Sequence, residues 1–181
     1  MYLDFHPIYV YIYIGLYIIN MFKLLCKEVI QMKIGVISDT HGLLRNEVID
    51  NLKGCEYIIH AGDIGNKDII ERLKEIGKII MVRGNNDNEE WTHDVPKVLR
   101  INIEGIDILI IHELKKLSKA SRKADLIISG HSHRYFHEAK ENVIFLNPGS
   151  CGKRRFSLPL TMATIDIDHG NVIINKVEIG G

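Results

Sequence analysis

Seven side chains of types that commonly bind metals stand directly after apolar runs of the sequence. They are Asp39, His41, Asp63, Asn85, His112, His131 and His133. Carboxylate, amide and imidazole groups together suit a divalent ion such as Mn²⁺, Fe²⁺ or Zn²⁺. Seven ligands are too many for one ion, so the pattern predicts two ions that share a bridging carboxylate. Two ions about 3.5–4 Å apart stabilise the attacking and leaving oxygens of an in-line displacement at phosphorus.

A water molecule held between two such ions is the expected nucleophile. A single bound zinc ion already lowers the pKa of its water to about 7. A water shared by two divalent ions therefore loses a proton near neutral pH. The residue types thus predict hydrolysis at phosphorus by a hydroxide that bridges the metals.

Short apolar runs, with helical segments between them, must position these ligands. The runs predict buried strands over Lys33–Ser38, Glu56–His60, Lys78–Val82, Leu126–Ser129 and Val143–Leu146. The spacing of apolar residues predicts helices over Asn46–Leu52, Lys67–Ile76 and Lys115–Ala124. Two hairpins are expected, one from Val98–Ile103 and Ile106–Ile111, the other from Thr161–Ile167 and Val172–Ile179. Such an order predicts a sheet covered by helices, with ligand sites beyond the carboxyl ends of its strands.

The composition fits one domain in a reducing compartment. The 181 residues are 46% hydrophobic, which suits one well-buried α/β domain and is too little for two of ordinary size. The formal net charge of zero argues against general affinity for nucleic acids or anionic membranes. Cys26, Cys55 and Cys151 are odd in number and form no CxxC motif, which favours free thiols in the cytoplasm. A structural zinc site is not expected, since no thiolate accompanies the motifs.

Residues 1–31 differ in composition from the rest of the chain. They hold five of the seven tyrosines, and Pro7–Phe22 is a run of 16 residues without a charge. One interpretation is a membrane anchor within residues 8–25, close to the usual span of about 17–25 residues, with the domain on the cytoplasmic side. Others are a peripheral or partner-binding helix, or a natural start at Met32 preceded by translated upstream sequence. A signal peptide is disfavoured, because a basic n-region and a small-residue cleavage site are missing.

Six motifs, in order, resemble those of a known family. They are SDTHG, HAGD, RGNND, the pair Ile111–His112, GHSH and NPGS. Together they resemble the calcineurin-like metallophosphoesterase superfamily, and most closely its small single-domain phosphodiesterases of the YfcE type. The likeness runs from Lys33 to Gly181. It implies an α/β fold, the four-layer α/β/β/α sandwich, and a binuclear metal-dependent enzyme that hydrolyses phosphodiester or phosphomonoester bonds.

The resemblance also implies how the ligands divide between the ions. One ion is held by Asp39, His41 and His133, the other by Asn85, His112 and His131, and Asp63 bridges the two. Mn²⁺ is the expected metal, with Fe²⁺, Zn²⁺, Ni²⁺ and Mg²⁺ as alternatives, because supply as well as ligand type decides which ion binds. Asp63, Asn85 and His112 are the expected catalytic residues. Asn86 and Arg83 are candidates for substrate binding, and Arg83 alternatively orders its loop.

Three positions depart from the pattern of the family. Asn86 stands where many relatives carry histidine or cysteine, which suggests that catalysis rests on the metals alone. The pair Glu113–Leu114 follows His112 where relatives often have glycine and histidine, so the shape of the substrate pocket is open. Arg134 replaces a small residue after the GHSH motif.

The remaining candidates have structural alternatives. Lys153, Arg154 and Arg155 could bind a substrate phosphate or form a solvated charged run, and NPGS could be a tight turn or a wall beside the metals. Structural roles are favoured for Asp87 as a turn residue and for His60, His93, His137 and His169.

A second class of function is a protein-interaction scaffold with the same fold, as in a retromer subunit. Such proteins usually have a damaged ligand set, whereas this one is intact. The expected partners are a small phosphorylated substrate and a second copy of the chain in a homodimer, with a membrane only if residues 8–25 are an anchor.

Overall fold

The computed structural model describes residues 32–118, 123–155, 157–168 and 170–180. Residues 32–181 form one compact unit. The interpretations of residues 1–31, including the anchor within residues 8–25, fall outside the described residues, as do Cys26 and His169. In the described part of the chain, no helix is long and apolar enough to cross a membrane.

Within the described residues, ten strands form two five-stranded sheets. They are β1 (Met32–Ile37), β2 (Tyr57–His60), β3 (Lys78–Met81), β4 (Val98–Ile103), β5 (Ile106–Ile111), β6 (Leu126–Ile128), β7 (Tyr135–Lys140), β8 (Val143–Pro148), β9 (Leu160–Asp168) and β10 (Asn171–Ile179). The first sheet has the order β10-β9-β1-β2-β3, and the second has the order β4-β5-β6-β8-β7.

Two helices connect the parallel strands of the first sheet. Helix α1 (Asn46–Leu52) joins β1 to β2, and helix α2 (Lys67–Lys74) joins β2 to β3. Helix α2 begins where the Asn66 side chain accepts a hydrogen bond from Ile69 N at 3.2 Å, as an N-cap does. Because β1, β2 and β3 are parallel, their carboxyl ends lie at one edge of the sheet. The residues that follow all three strands therefore meet there.

The second sheet repeats this arrangement with three parallel central strands. Strands β5, β6 and β8 run parallel, while β4 and β7 pair antiparallel at the two edges. The pairing of Ile110 with Ile128 aligns the carboxyl ends of β5 and β6. The segments after β5, β6 and β8 therefore also emerge together.

The main core lies between the two sheets. Ile34 and Val36 of the first sheet belong to the same buried cluster as Ile108 and Ile128 of the second. A second cluster packs α1 and α2 onto the outer face of the first sheet, where Leu52 and Leu73 are fully buried. Burial on both faces explains why β1, β2 and β5 read as nearly continuous apolar runs.

The outer face of the second sheet is covered differently from the expectation. The predicted helix over Lys115–Ala124 is wrong in its described part, which shows a 3-10 turn at Leu114–Lys116 and an extended Leu117. Residues 119–122 fall outside the description. Leu117 is buried against Ile111 and its neighbours, and an extended residue achieves this contact without a helical face. The α/β sandwich is confirmed, and its fourth layer contains this short turn.

Candidate metal centre

The predicted ligands lie where the two sets of parallel strand ends meet. Asp39 and His41 follow β1, Asp63 follows β2, and Asn85 follows β3. From the second sheet, His112 follows β5, and His131 and His133 follow β6. Backbone hydrogen bonds join neighbouring loops, for example His41 N to Asp63 O at 3.0 Å and Gly130 N to His112 O at 3.0 Å.

Five of the seven ligand residues have left-handed backbone conformations. Their φ angles are 55° at Asp39, 46° at His41, 57° at Asp63, 69° at His131 and 58° at His133. Residues other than glycine rarely adopt such angles, and their cost of about 1–3 kcal/mol each is typical of functional sites. The backbone therefore stores strain at the positions that aim these side chains at a common point.

One group of ligand atoms forms around Asp39. The Oδ1 atom of Asp39 lies 3.2 Å from His133 Nε2 and 3.8 Å from His41 Nε2, and these two nitrogens are 3.3 Å apart. The ligand atoms of the three residues lie within 4.8 Å of one another, and the set can hold a metal ion. This is the trio that the family resemblance assigns to one ion.

A second group connects to the first through Asp63. The Oδ2 atom of Asp63 lies 3.8 Å from His41 Nε2 and 3.4 Å from His112 Nε2. Asp39, Asp63 and His112 form another set whose ligand atoms lie within 4.8 Å, so Asp39 belongs to both groups. Asp63 Oδ2 thus lies near a ring nitrogen of each group.

Asn85 and His131 lie next to this second group. Asn85 Oδ1 is 2.9 Å from His131 Nδ1, and the His131 ring packs edge-on against His112 with centroids 5.3 Å apart. Both Asn85 and His131 are exposed, while His112 and Asp63 are buried. The structure thus brings all seven predicted side chains together, with this end of the centre open to solvent.

Two buried atoms lack partners in a way that fits a metal. Asp39 Oδ1 and His112 Nε2 are buried and make no hydrogen bond to any described residue. His112 Nδ1 lies 2.7 Å from Ala61 O, so this nitrogen carries the proton and Nε2 is free to donate its lone pair. Leaving such polar atoms buried and unpaired costs about 1–3 kcal/mol each. A pair of divalent ions would satisfy both.

The charges of the centre also suit cations. Burial opposes the ionisation of Asp63, yet the His112 ring, whose Nε2 lies 3.4 Å from Asp63 Oδ2, and the hydrogen bonds from Asn86 hold the pKa of its carboxyl well below the usual range. Burial lowers the pKa of His112, but the nearby carboxylates of Asp63 and Asp39 raise it on balance. Burial, followed by the positive charge of Arg155, lowers the pKa of His41. A negative carboxylate thus faces imidazoles, and Arg155 lies close enough to influence one of them.

The two substrate-binding candidates have different surroundings. Asn86 donates from its backbone to Asp63 Oδ1 at 2.9 Å and from its side chain to Asp63 Oδ2 at 2.6 Å, so it orients this carboxylate. Arg83 is anchored by its backbone N–H, which donates to Pro96 O at 2.8 Å. The half-buried Arg83 side chain lines a cavity beside the centre, together with Asn85 and His112.

Asp87 has a larger role than its interpretation as a turn residue suggests. Its carboxylate is only 3% exposed and accepts backbone hydrogen bonds from Ile64 at 2.8 Å, Gly65 at 3.1 Å and Gly84 at 2.8 Å. These bonds link the loops after β2 and β3, which carry Asp63 and Asn85. The sequence around Asp87 does not reveal this, because Ile64 and Gly65 lie 23 and 22 residues away.

The NPGS segment forms a wall beside the ligands. Asn147 donates to Gly130 O at 2.7 Å, which supports the loop of His131, and Ser150 donates to Asp39 O at 3.0 Å. Cys151 follows directly, but burial raises the pKa of its thiol to about 12. The thiol is therefore protonated at neutral pH, and it donates to Ser38 O at 3.7 Å.

His60 supports the centre from below, in agreement with its structural interpretation. Its Nδ1 accepts from Gly62 N at 3.2 Å, and its Nε2 lies 2.9 Å from Thr40 Oγ1, which donates to Ile64 O at 2.9 Å. The neutral ring thus connects the loops after β1 and β2. His93 and His137 are exposed.

His60 should make the protein less stable in acid. Burial lowers its pKa from 6.5 to about 4. In the unfolded chain His60 therefore binds a proton below pH 6.5, whereas in the folded chain it binds one only near pH 4 and below. The contribution to stability is complete above pH 6.5 and falls as the pH drops towards 4, by about 3 kcal/mol. Denaturant unfolding at pH 7.5, 6 and 4.5 measures it. In His60→Gln the free energy of unfolding should change less over this range, and an identical pH profile would exclude His60 as the cause.

Gly84 is required because Asp63 packs against its backbone. A β-carbon at Gly84 would lie 2.1 Å from Asp63 Oδ1 and 2.2 Å from Asp63 N. Gly84→Ala should therefore displace Asp63 and weaken Mn²⁺ binding by about 10–100-fold, as changes around metal ligands do. Calorimetric titration with Mn²⁺ measures this. Gly180→Ala is the control, because nothing lies within 4 Å of the added carbon. Equal affinities in the two variants would contradict the expectation.

Comparison with known proteins agrees with these motifs. A family model, the calcineurin-like phosphoesterase superfamily domain, matches residues 32–170. A probable metallophosphoesterase of Methanocaldococcus jannaschii is 35% identical over 135 residues, which cover 66% of this chain and 68% of that protein. The structure of an archaeal phosphodiesterase matches with a TM-score of 0.69 and 28% identity, covering 82% of this chain and 100% of that one.

Vps29 of Chaetomium thermophilum has the same fold. Its structure matches with a TM-score of 0.68 over 82% of this chain and 97% of its own, at 16% identity. An identity this low shows the fold alone. The match of the family model over most of the chain shows the family as well as the fold. The chain belongs to the calcineurin-like phosphoesterase superfamily.

Proposed function

We propose that the chain uses two divalent ions to hydrolyse phosphodiester or phosphomonoester bonds. Two ions bound at the centre would supply an activated water for in-line attack at phosphorus and would stabilise the leaving oxygen. The observation that carries this proposal is the convergence of seven ligand side chains from the loops after five strands, with Asp39 Oδ1 and His112 Nε2 buried and unpaired within the described residues.

Each residue has a defined part in this proposal. Asp63 would bind both ions, and Asn86 orients its carboxylate through two hydrogen bonds. Asn85 and His112 would hold the ion nearer the open end of the centre. Arg83 lines the cavity beside the centre, and Arg155 lies close enough to His41 to lower its pKa, so both would supply positive charge to an anionic substrate.

Mn²⁺ is the proposed ion, and the cytoplasm is the proposed compartment. We also propose that the chain forms a homodimer. Phe136 on the edge strand β7 is 45% exposed and Ile173 on the edge strand β10 is 51% exposed, and both are large apolar side chains that a second copy could cover. Light scattering after size-exclusion chromatography measures the oligomeric state.

The alternative function is a protein-interaction scaffold with this fold, and the likeness to Vps29 keeps it in view. The two functions differ in what they require of the centre. A scaffold does not need buried unpaired ligand atoms or strained ligand residues, whereas an enzyme does. The intact ligand set supports the enzyme.

Turnover with and without metal separates the two functions. The full chain is stripped with chelator and reloaded with Mn²⁺, and hydrolysis of p-nitrophenyl phosphate and bis(p-nitrophenyl) phosphate is followed. We expect turnover that appears with Mn²⁺ and disappears with chelator. If neither ester is hydrolysed while metal analysis finds two ions bound per chain, the proposed function is wrong and the scaffold is favoured.

A further inference from the structure

A cavity of about 410 Å³ opens beside the metal centre. Its walls include His112 and Asn85 of the centre, and Arg83, Lys97 and Lys116 beyond them. This volume is within the range of about 300–1,000 Å³ typical of small-molecule sites. A substrate whose phosphorus lies at the metals therefore has room to extend in this direction.

The carboxylates of the cavity already have partners. Asp87 is buried, and its oxygens accept three backbone N–H groups. Glu113 forms an ion pair with Lys116. Arg83 and Lys97 remain outside this pair, so the cavity has three cationic side chains against two carboxylates.

The side chains of Arg83 and Lys97 form no ion pair within the described part of the chain. Arg83 Nε is buried without a hydrogen bond, and no acidic side chain of the described residues forms an ion pair with either cation. A guanidinium has five donors in a planar fork that matches a phosphate or carboxylate. The buried Arg83 Nε has no hydrogen-bond acceptor, and the oxygen of an anion would supply one.

The remaining walls strengthen an interaction with an anion. Ile111 is 4% exposed and Val98 also lines the cavity. Apolar walls lower the local dielectric constant, so the attraction between opposite charges is greater than at an open surface. The cavity thus offers two unpaired cations in a partly apolar setting, next to where the phosphate would react.

We propose that this cavity binds a second anionic group of the substrate, a phosphate or carboxylate joined by a short linker to the reacting phosphate. This inference rests on the proposed function and narrows its substrate class to esters with two anionic groups. Arg83 and Lys97 bind the second group, and the metal centre binds the first.

Bisphosphonates of increasing linker length test this proposal. The Mn²⁺-loaded full chain is titrated calorimetrically with methylphosphonate and with α,ω-bisphosphonates of one to four methylene groups, at buffered free Mn²⁺. The same compounds are used as competitive inhibitors of bis(p-nitrophenyl) phosphate hydrolysis. We expect at least one bisphosphonate to bind about 10-fold or more tightly than methylphosphonate, as a charge-assisted contact provides.

Lys97→Met and Arg83→Met should each reduce this preference about 10-fold. Lys97 is exposed, so its variant tests the proposal even if Arg83→Met fails to fold. The control is Lys53→Met, which removes the same charge from a lysine paired with Asp50 on α1, and it should keep the preference. A preference that is absent in the wild type, or equal in all variants, would overturn the proposal.

The readouts separate this inference from the proposed function. Hydrolysis of the diester without a preference for bisphosphonates removes the anion site and leaves the enzyme. A preference that depends on Lys97, in a protein that hydrolyses neither nitrophenyl ester, supports the anion site and removes the proposed hydrolysis of such esters.

Discussion

Asp63→Ala is expected to remove both metal ions and to lower kcat/KM for bis(p-nitrophenyl) phosphate by at least about 10³-fold. Asp63 Oδ2 lies within 3.8 Å of His41 Nε2 and 3.4 Å of His112 Nε2, so it contacts both halves of the centre. Even changing an outer partner of a metal ligand costs about 10–100-fold, and a bridging carboxylate serves two ions. Metal analysis by mass spectrometry and steady-state kinetics measure the two effects.

Asp50→Ala is the matched control for this change. Asp50 is an exposed carboxylate on α1 that pairs with Lys53, so its loss changes the net charge equally without touching the centre. Thermal unfolding of both variants establishes that they fold. An Asp63→Ala protein that is folded and retains two ions would show that Asp63 is not the bridge, and Asp39, which belongs to both ligand groups, would replace it.

Elements with a buried face were the ones that the sequence predicted well. Helix α1 (Asn46–Leu52) and the hairpin of β4 (Val98–Ile103) and β5 (Ile106–Ile111) match the expected bounds. In each, the apolar spacing records which side chains are removed from water. The period of the apolar residues indicates which face of an element is buried. Each of these elements has a buried face, so its bounds could be predicted.

One strand was missed and one helix was predicted wrongly, and in both places the spacing of apolar residues is a poor guide. Strand β7 (Tyr135–Lys140) was missed because it is an edge strand whose side chains are mostly exposed, so its hydrogen bonds leave no apolar pattern. The helix expected over Lys115–Ala124 was inferred from three apolar positions. In the described part, Leu117 reaches the sheet from an extended backbone instead.

In the metal centre, too, features set by local sequence could be predicted, whereas features set by tertiary contacts could not. The ligands could be found because parallel strands end at one edge, which makes the residue after each strand predictable. The strained φ angles of residues such as Asp39 and His131 could not be, because tertiary contacts impose them. The bonds of Asp87 to Ile64 and Gly84 depend on how two loops meet.

His112→Ala is expected to remove one ion and keep the other. His112 contacts Asp63 on one side of the centre, whereas Asp39, His41 and His133 form a group that does not need it. The affinity of the affected site should fall by at least about 100-fold, since losing a ligand costs more than losing its outer partner. Metal analysis should find one ion per chain after dialysis against micromolar Mn²⁺, and kcat should fall with it.

His137→Ala is the control, because His137 lies exposed on β7. His112→Ala and Asp63→Ala together distinguish a ligand of one ion from a ligand shared by two. Loss of a bridging ligand should leave no ion per chain, whereas loss of a ligand of one ion should leave one. If both residues had only structural roles, the two variants would lose similar fractions of their bound metal. His112 precedes Glu113 and Leu114, where the chain departs from its family. Two ions retained in His112→Ala would mean that this departure had cost His112 its role as a ligand, despite the Nδ1 contact with Ala61 that aims Nε2 at Asp63.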